Sequence, residues 1–181
     1  MDILNLSKII SYILRHKPEE YGIELEKDGS VSIEELMASI VDRHSAYKGA
    51  NKNTLEHILA KSSKKRFEIM GDRVRAYYGH SLKAEIDRKL SKPPRYLFHG
   101  TTMDVVKVIL AEGLKPMNRQ NVHLAGDYKT AEIVAKRWNT SYVILEIDAE
   151  LAYEEGVEFY LGNEDIWLAN TIPAKYIHIK D

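Results

Sequence analysis

The sequence predicts an α+β protein of two lobes, and three observations predict it. The first stretch combines three helix-like apolar periodicities with two short alternating runs. Ser91-Lys92-Pro93-Pro94 then interrupts the chain with two prolines, which stiffen it and discourage helix. Beyond them, short β-rich runs alternate with helical ones, as in a compact mixed unit. The expected lobes are residues 1–90 and 91–181.

In the first lobe Leu6, Ile9, Ile10, Ile13 and Leu14 repeat at three- and four-residue spacing, and Pro18 marks the end of that helix. Asp28-Gly29 reads as a turn before a short strand at Val31. Ser32-Ile33-Glu34-Glu35 has the spacing of a capping box for a second helix through Ile40, and Asn53-Thr54-Leu55-Glu56 repeats it for a third. The runs 66–70 and 73–77 flank Gly71-Asp72, which suits a hairpin. Three helices followed by a hairpin is a winged-helix pattern. Alternation places Val74 and Ala76 on one face of the second strand, with Arg73, Arg75 and Tyr77 on the other.

In the second lobe a strand over 96–98 leads into a helix over 103–112, stopped by Gly113. A short strand over 122–124 follows, then a helix capped by Asp127 and running through Trp138. Further strands are expected at 142–147, 158–160, 166–168 and 176–179. Glu146, Asp148, Glu150, Glu154 and Glu155 read as a solvated acidic rim.

The bulk properties narrow the function. Hydrophobic residues at 44% and charged residues at 29% of 181 are ordinary globular proportions. With 26 basic against 27 acidic residues, any nucleic-acid contact must come from a local patch. The chain has no cysteine, which excludes disulfides, thiolate metal sites and a cysteine nucleophile. Neither a signal-like N-terminus nor an apolar run near the ~20 residues that span a bilayer is present. A cytoplasmic protein with no membrane partner is expected.

Four basic residues stand in distinctive settings. Arg15 and His16 occur in Leu14-Arg15-His16-Lys17-Pro18, at a helix C-terminus where cations also complement the helix dipole. Arg75 precedes Gly79-His80-Ser81, which either lets backbone approach a ligand or is a plain turn. Arg119 stands four residues before His123, within Val122-His123-Leu124. His99-Gly100-Thr101 reads as a strand running into a glycine turn at a helix N-terminus, a setting that favours phosphate. The alternative there is a turn with a buried, hydrogen-bonded histidine. Neither His99 nor His123 has metal-ligand spacing, so no metal is expected.

Taken in order, these pieces resemble the NAD-dependent tRNA 2′-phosphotransferase family along nearly the whole chain. The matching segments are Leu14 to Pro18, Arg75-Ala76 with Gly79-His80-Ser81, Pro93-Pro94 with Tyr96 to Thr101, Arg119 with Val122 to Leu124, and Trp167-Leu168. The resemblance implies a winged-helix-like RNA-binding lobe and an ADP-ribosyltransferase-like NAD-binding lobe, with a cleft between. It implies removal of an internal RNA 2′-phosphate in two steps through an ADP-ribosylated RNA phosphate. The implied products are 2′-hydroxyl RNA, nicotinamide and ADP-ribose 1″,2″-cyclic phosphate.

By motif position, the catalytic tetrad falls on Arg15, His16, Arg75 and Arg119. His99, Gly100, Thr101, His123, Leu124 and Ile166 would line the site for NAD, a co-substrate, and a monomer is expected. Ile166 would replace the glutamate that many other ADP-ribosyltransferases carry, weakening activity on protein side chains. The chain departs from the family's usual residues at Tyr78, Ala125 and Glu164-Asp165. Two other readings remain open. One is an enzyme that leaves ADP-ribose on its acceptor; the other is a DNA-reading module using a helix over 55–65 with Lys61, Lys64 and Lys65.

Overall fold

A computed structural model describes residues 2–62, 65–138 and 141–180. The chain divides into two compact units, Met1–Asp87 and Arg88–Asp181. Both are mixed, each built on one antiparallel sheet with three helices among the described residues.

In the first unit, α1 (Ile3–Arg15) begins where the Asp2 carboxylate accepts the Asn5 N–H. Its apolar stripe buries Leu6, Ile10, Ile13 and Leu14. Strand β1 (Ser30–Ser32) runs directly into α2 (Ile33–Arg43). Ser32 stands at the N-cap but makes no side-chain cap bond, contrary to the capping box expected there. It is paired in the sheet with Arg73, and the Asp72 carbonyl takes the Ile33 N–H. The real capping box lies at α3 (Lys52–Lys61): the Asn51 side chain accepts the Asn53 and Thr54 N–H groups, and the Thr54 hydroxyl oxygen accepts the Asn51 N–H. That helix starts earlier than predicted and ends at Lys61, short of Lys65; Lys64 lies outside the described residues.

The hairpin is formed by β2 (Phe67–Met70) and β3 (Arg73–Ala76), and the sheet order is β1-β3-β2. Phe67, Val74 and Ala76 seal one face against Leu36, Leu55 and Ile58. The other face carries Arg73 and Arg75, with Glu68 directly opposite Arg75.

The second unit is a six-stranded sheet ordered β7-β8-β5-β4-β6-β9. Its strands are β4 (Tyr96–Thr102), β5 (Val122–Ala125), β6 (Tyr142–Asp148), β7 (Phe159–Leu161), β8 (Ile166–Ala169) and β9 (Ile177–Ile179). Leu97, Leu145 and Ile147 face a core completed by α4 (Met103–Glu112) and α6 (Ala149–Glu154). Phe98, Ala125 and Ile144 face the smaller cluster beneath α5 (Tyr128–Ala135). That helix stops at Ala135, where a 3-10 turn over Lys136–Trp138 replaces the longer helix expected.

Helix α6 was hidden in the acidic run. Asp148 caps it by accepting the Leu151 N–H, while Ala149 and Ala152 are fully buried. Glu146 and Glu155 are tied to Lys180 and Lys175, so the run is partly structural.

Candidate functional site

Arg15 and His16 sit where α1 ends. His16 is the C-cap, its N–H still bonded to the Tyr12 carbonyl. The Arg15 guanidinium donates to the Arg66 carbonyl at 2.7 Å and lies over the Tyr78 ring, 5.5 Å from its centre. Tyr78 therefore contacts Arg15 through a cation–π arrangement. The His16 imidazole lies 2.8 Å from the Ser81 hydroxyl through Nδ1, and the Ser81 N–H donates to the Arg15 carbonyl at 2.9 Å. The segment after β3 is thus stitched to the end of the first helix.

Arg75 is held between carboxylates. Its Nε donates to Glu68 Oε1 at 2.7 Å, and Nη1 lies 3.5 Å from Asp28 Oδ2. Burial alone would raise the Asp28 pKa; bonds from the Ser30 hydroxyl and N–H, with the charges of Arg75 and Arg73, outweigh it and leave it lowered. Arg73 is tied alongside to Ser30 and Glu26. The arginine face predicted from strand alternation is therefore charged and internally paired.

In the second unit, His99, Gly100 and Thr101 lie within β4, which continues through Thr102 before α4 begins. They do not form the turn at a helix N-terminus that the sequence predicted. All three pair with β6, opposite Leu145, Ile144 and Val143. The glycine serves close packing instead: a Cβ there would meet the Ala131 carbonyl and Ala135 Cβ at 2.7 Å. Thr101 is only 5% exposed, and Leu124 is fully buried, so both side chains pack the interior.

Pairing between β4 and β5 is sparse. Among the described residues, β4 meets β5 at one pair, Phe98 opposite Ala125. The antiparallel continuation would set Gly100 against His123, but the ladder opens there. His99 fills part of the role: its Nδ1–H donates to the His123 carbonyl at 2.9 Å. Desolvation lowers the His99 pKa, outweighing the opposite pull of that carbonyl, so the ring is neutral at pH 7. With Nδ1 carrying the proton, Nε2 is left as an acceptor.

Arg119 donates from Nη1 to His123 Nδ1 at 2.8 Å. A guanidinium can only donate, so His123 accepts at Nδ1 and is neutral with its proton on Nε2. Arg119 follows Met117, the one described non-glycine residue with positive φ (55°), in an exposed turn. Ile166 is half-buried opposite Ala125, and Asn163 fixes the preceding turn by accepting the Asp165 and Ile166 N–H groups. The site residues thus gather as Arg15 with His16, Arg75 with its carboxylates, and Arg119 with His123 and His99.

Three contributors escaped the sequence reading. Glu68 was accessible to it, because a two-residue turn at Gly71-Asp72 sets 68 opposite 75. Ser81 lay inside a motif already singled out. Asp28 reaches Arg75 from a separate turn, and no local pattern announces that. Among the described residues, no helix is long and apolar enough to cross a membrane, and no group of three or more His, Asp or Glu is placed to hold a metal ion.

Comparison with known proteins identifies the family. A family model described as RNA 2′-phosphotransferase, Tpt1 / KptA family, matches residues 2–171. A probable RNA 2′-phosphotransferase of Acetivibrio thermocellus is 43% identical over 180 residues, covering 99% of this chain and 98% of that protein. Proteins of the same description from Bacillus thuringiensis and Rhizobium rhizogenes are 43% and 39% identical, covering 97% and 95% of this chain and 94% and 91% of theirs. From end to end, the chain belongs to the RNA 2′-phosphotransferase family.

Proposed function

We propose that this protein is an enzyme that removes an internal 2′-phosphate from RNA by transferring it to NAD. RNA first gains ADP-ribose on its 2′-phosphate as nicotinamide leaves; the phosphoryl group then passes to the neighbouring ribose hydroxyl. The products are 2′-hydroxyl RNA and ADP-ribose 1″,2″-cyclic phosphate. In this reading the first unit is winged-helix-like and engages RNA, and the second is ADP-ribosyltransferase-like and binds NAD.

The observation that carries the reading is the chain Arg119–His123–His99. It joins a full positive charge to two neutral imidazoles beside an opening in the sheet. Such a set suits an anionic nucleotide: the guanidinium matches phosphate oxygens, and neutral ring nitrogens match hydroxyl and amide groups. NAD, when bound, supplies the electrophilic ribose carbon and the accepting hydroxyl. His99 would hold the nucleotide through Nε2, with Gly100, Thr101, Leu124 and Ile166 shaping the wall and His123 orienting Arg119.

A 2′-phosphate monoester is close to dianionic at neutral pH. In the first unit Arg15 and Arg75 would hold its oxygens, each charge-assisted bond contributing about 1.5–3 kcal/mol, and Arg119 is assigned to the same reaction as a further cation. In the second transfer a P–O bond to the ribose forms while the bond to the RNA 2′-oxygen breaks. One proton leaves the attacking hydroxyl and one reaches the departing oxygen. His16, whose unperturbed pKa is about 6.5, is assigned that proton transfer.

The test incubates purified protein with a short RNA bearing one internal 2′-phosphate, with and without NAD. The expected result is 2′-hydroxyl RNA only with NAD, with one nicotinamide released per phosphate removed. Phosphate removal without NAD would overturn the reading. Stable ADP-ribosylated RNA with no cyclic phosphate would replace it with simple ADP-ribosyl transfer.

A further inference from the structure

We infer that Ser81 is a positioning residue for His16, and that the Gly79-His80-Ser81 segment exists to deliver its hydroxyl. The inference rests on the proton-transfer role proposed above for His16. Each residue of the segment has a separate task. Gly79 has φ 89°, a left-handed conformation that side chains resist, and it turns the chain after β3. His80 is 2% exposed and packs beside Gly29, whose Cβ, if present, would lie 3.5 Å from His80 Nε2. It anchors the turn. Ser81 then emerges exposed, with its N–H on the Arg15 carbonyl at 2.9 Å and its hydroxyl 2.8 Å from His16 Nδ1.

The two bonds do different work. The backbone bond satisfies a carbonyl in the last turn of α1 and places residue 81 beside residue 16 whatever its side chain. The hydroxyl bears on the ring itself. A serine O–H donates to an unprotonated Nδ1, and its oxygen accepts from a protonated one. His16 can therefore gain and lose a proton in one ring orientation, which is what a group serving first as base and then as acid requires. Tyr12, with its ring centre 6.1 Å from that of His16 and tilted, offers the imidazole a packing neighbour.

The experiment compares wild type, Ser81→Ala and Ser81→Thr in single turnover on 2′-phosphorylated RNA with NAD. Nicotinamide release reports the first transfer, and cyclic phosphate the second. Ser81→Ala should slow the second transfer by about tenfold or more while changing the first by less than about twofold, so ADP-ribosylated RNA accumulates. Ser81→Thr should restore the second transfer. In parallel, the imidazole nitrogen resonances of His16 should move in Ser81→Ala and return in Ser81→Thr. Second-transfer rates equal in wild type and Ser81→Ala, or no rescue by threonine, would overturn the role. If wild type itself shows no NAD-dependent turnover, the functional reading fails. The nitrogen resonances then still judge the contact, and identical His16 signals in wild type and Ser81→Ala would overturn that too.

Discussion

Arg75 and Arg119 are two arginines of similar standing in the sequence that the fold holds in opposite ways. Arg75 springs from a paired strand and is gripped by Glu68 and Asp28, with side-chain exposures of 33% and 29% for Arg75 and Glu68. Arg119 stands in an exposed turn and leans on a neutral histidine. At about 4 Å and an effective dielectric near 20, a unit pair interacts by roughly 4 kcal/mol, so Arg75 presents a largely compensated charge. Arg119 keeps its charge whole. Under the proposed function the first arginine would serve aim and the second attraction.

The largest expected effect comes from removing either one. Arg119→Ala should cut turnover by at least about a hundredfold, the scale of losing a transition-state donor, with thermal unfolding unchanged because the residue is exposed. Arg75→Ala should lose turnover comparably but also lower stability by about 1 kcal/mol, since it leaves Glu68 and Asp28 without their shared cation. Near-wild-type turnover in a folded variant would remove that residue from the mechanism.

A smaller change should separate aim from attraction. Glu68→Gln frees Arg75 from its closest anion, so RNA should bind more tightly while the chemistry becomes less accurate. The expected result is a fall in KM together with a fall in kcat, each within about tenfold. A rise in KM with kcat unchanged would mean that Glu68 contributes binding instead of orientation.

The mildest prediction concerns His99. Its folded pKa lies below its unfolded value near 6.5, so the unfolded chain binds more protons in the window beneath that pH. Stability is fully present above about pH 6.5 and declines as pH falls toward the lowered folded value. Denaturant melts from pH 7.5 to 5 should show that slope, and His99→Gln should flatten it. An unchanged slope would place the proton uptake elsewhere.

The helices and the hairpin were legible because their signals are local. Periodic leucines and isoleucines mark α1, and Gly71-Asp72 sets the register that brings Glu68 to Arg75. What escaped was decided at a distance. Gly100 looks like a turn in sequence, yet it is a flat point on β4 that admits the α5 backbone. Ser32 looks like a cap but is spent on pairing with β3. The motif arginines and histidines could be picked out by residue type and order. Their states could not, since the neutrality of His123 follows from a guanidinium facing it and that of His99 from burial.

The most direct measurement follows the phosphorus itself. RNA labelled with 32P at a single internal 2′-phosphate should yield, with NAD, label in ADP-ribose 1″,2″-cyclic phosphate and none as inorganic phosphate. Label released as inorganic phosphate would show hydrolysis by water and contradict phosphoryl transfer as the reaction of this site.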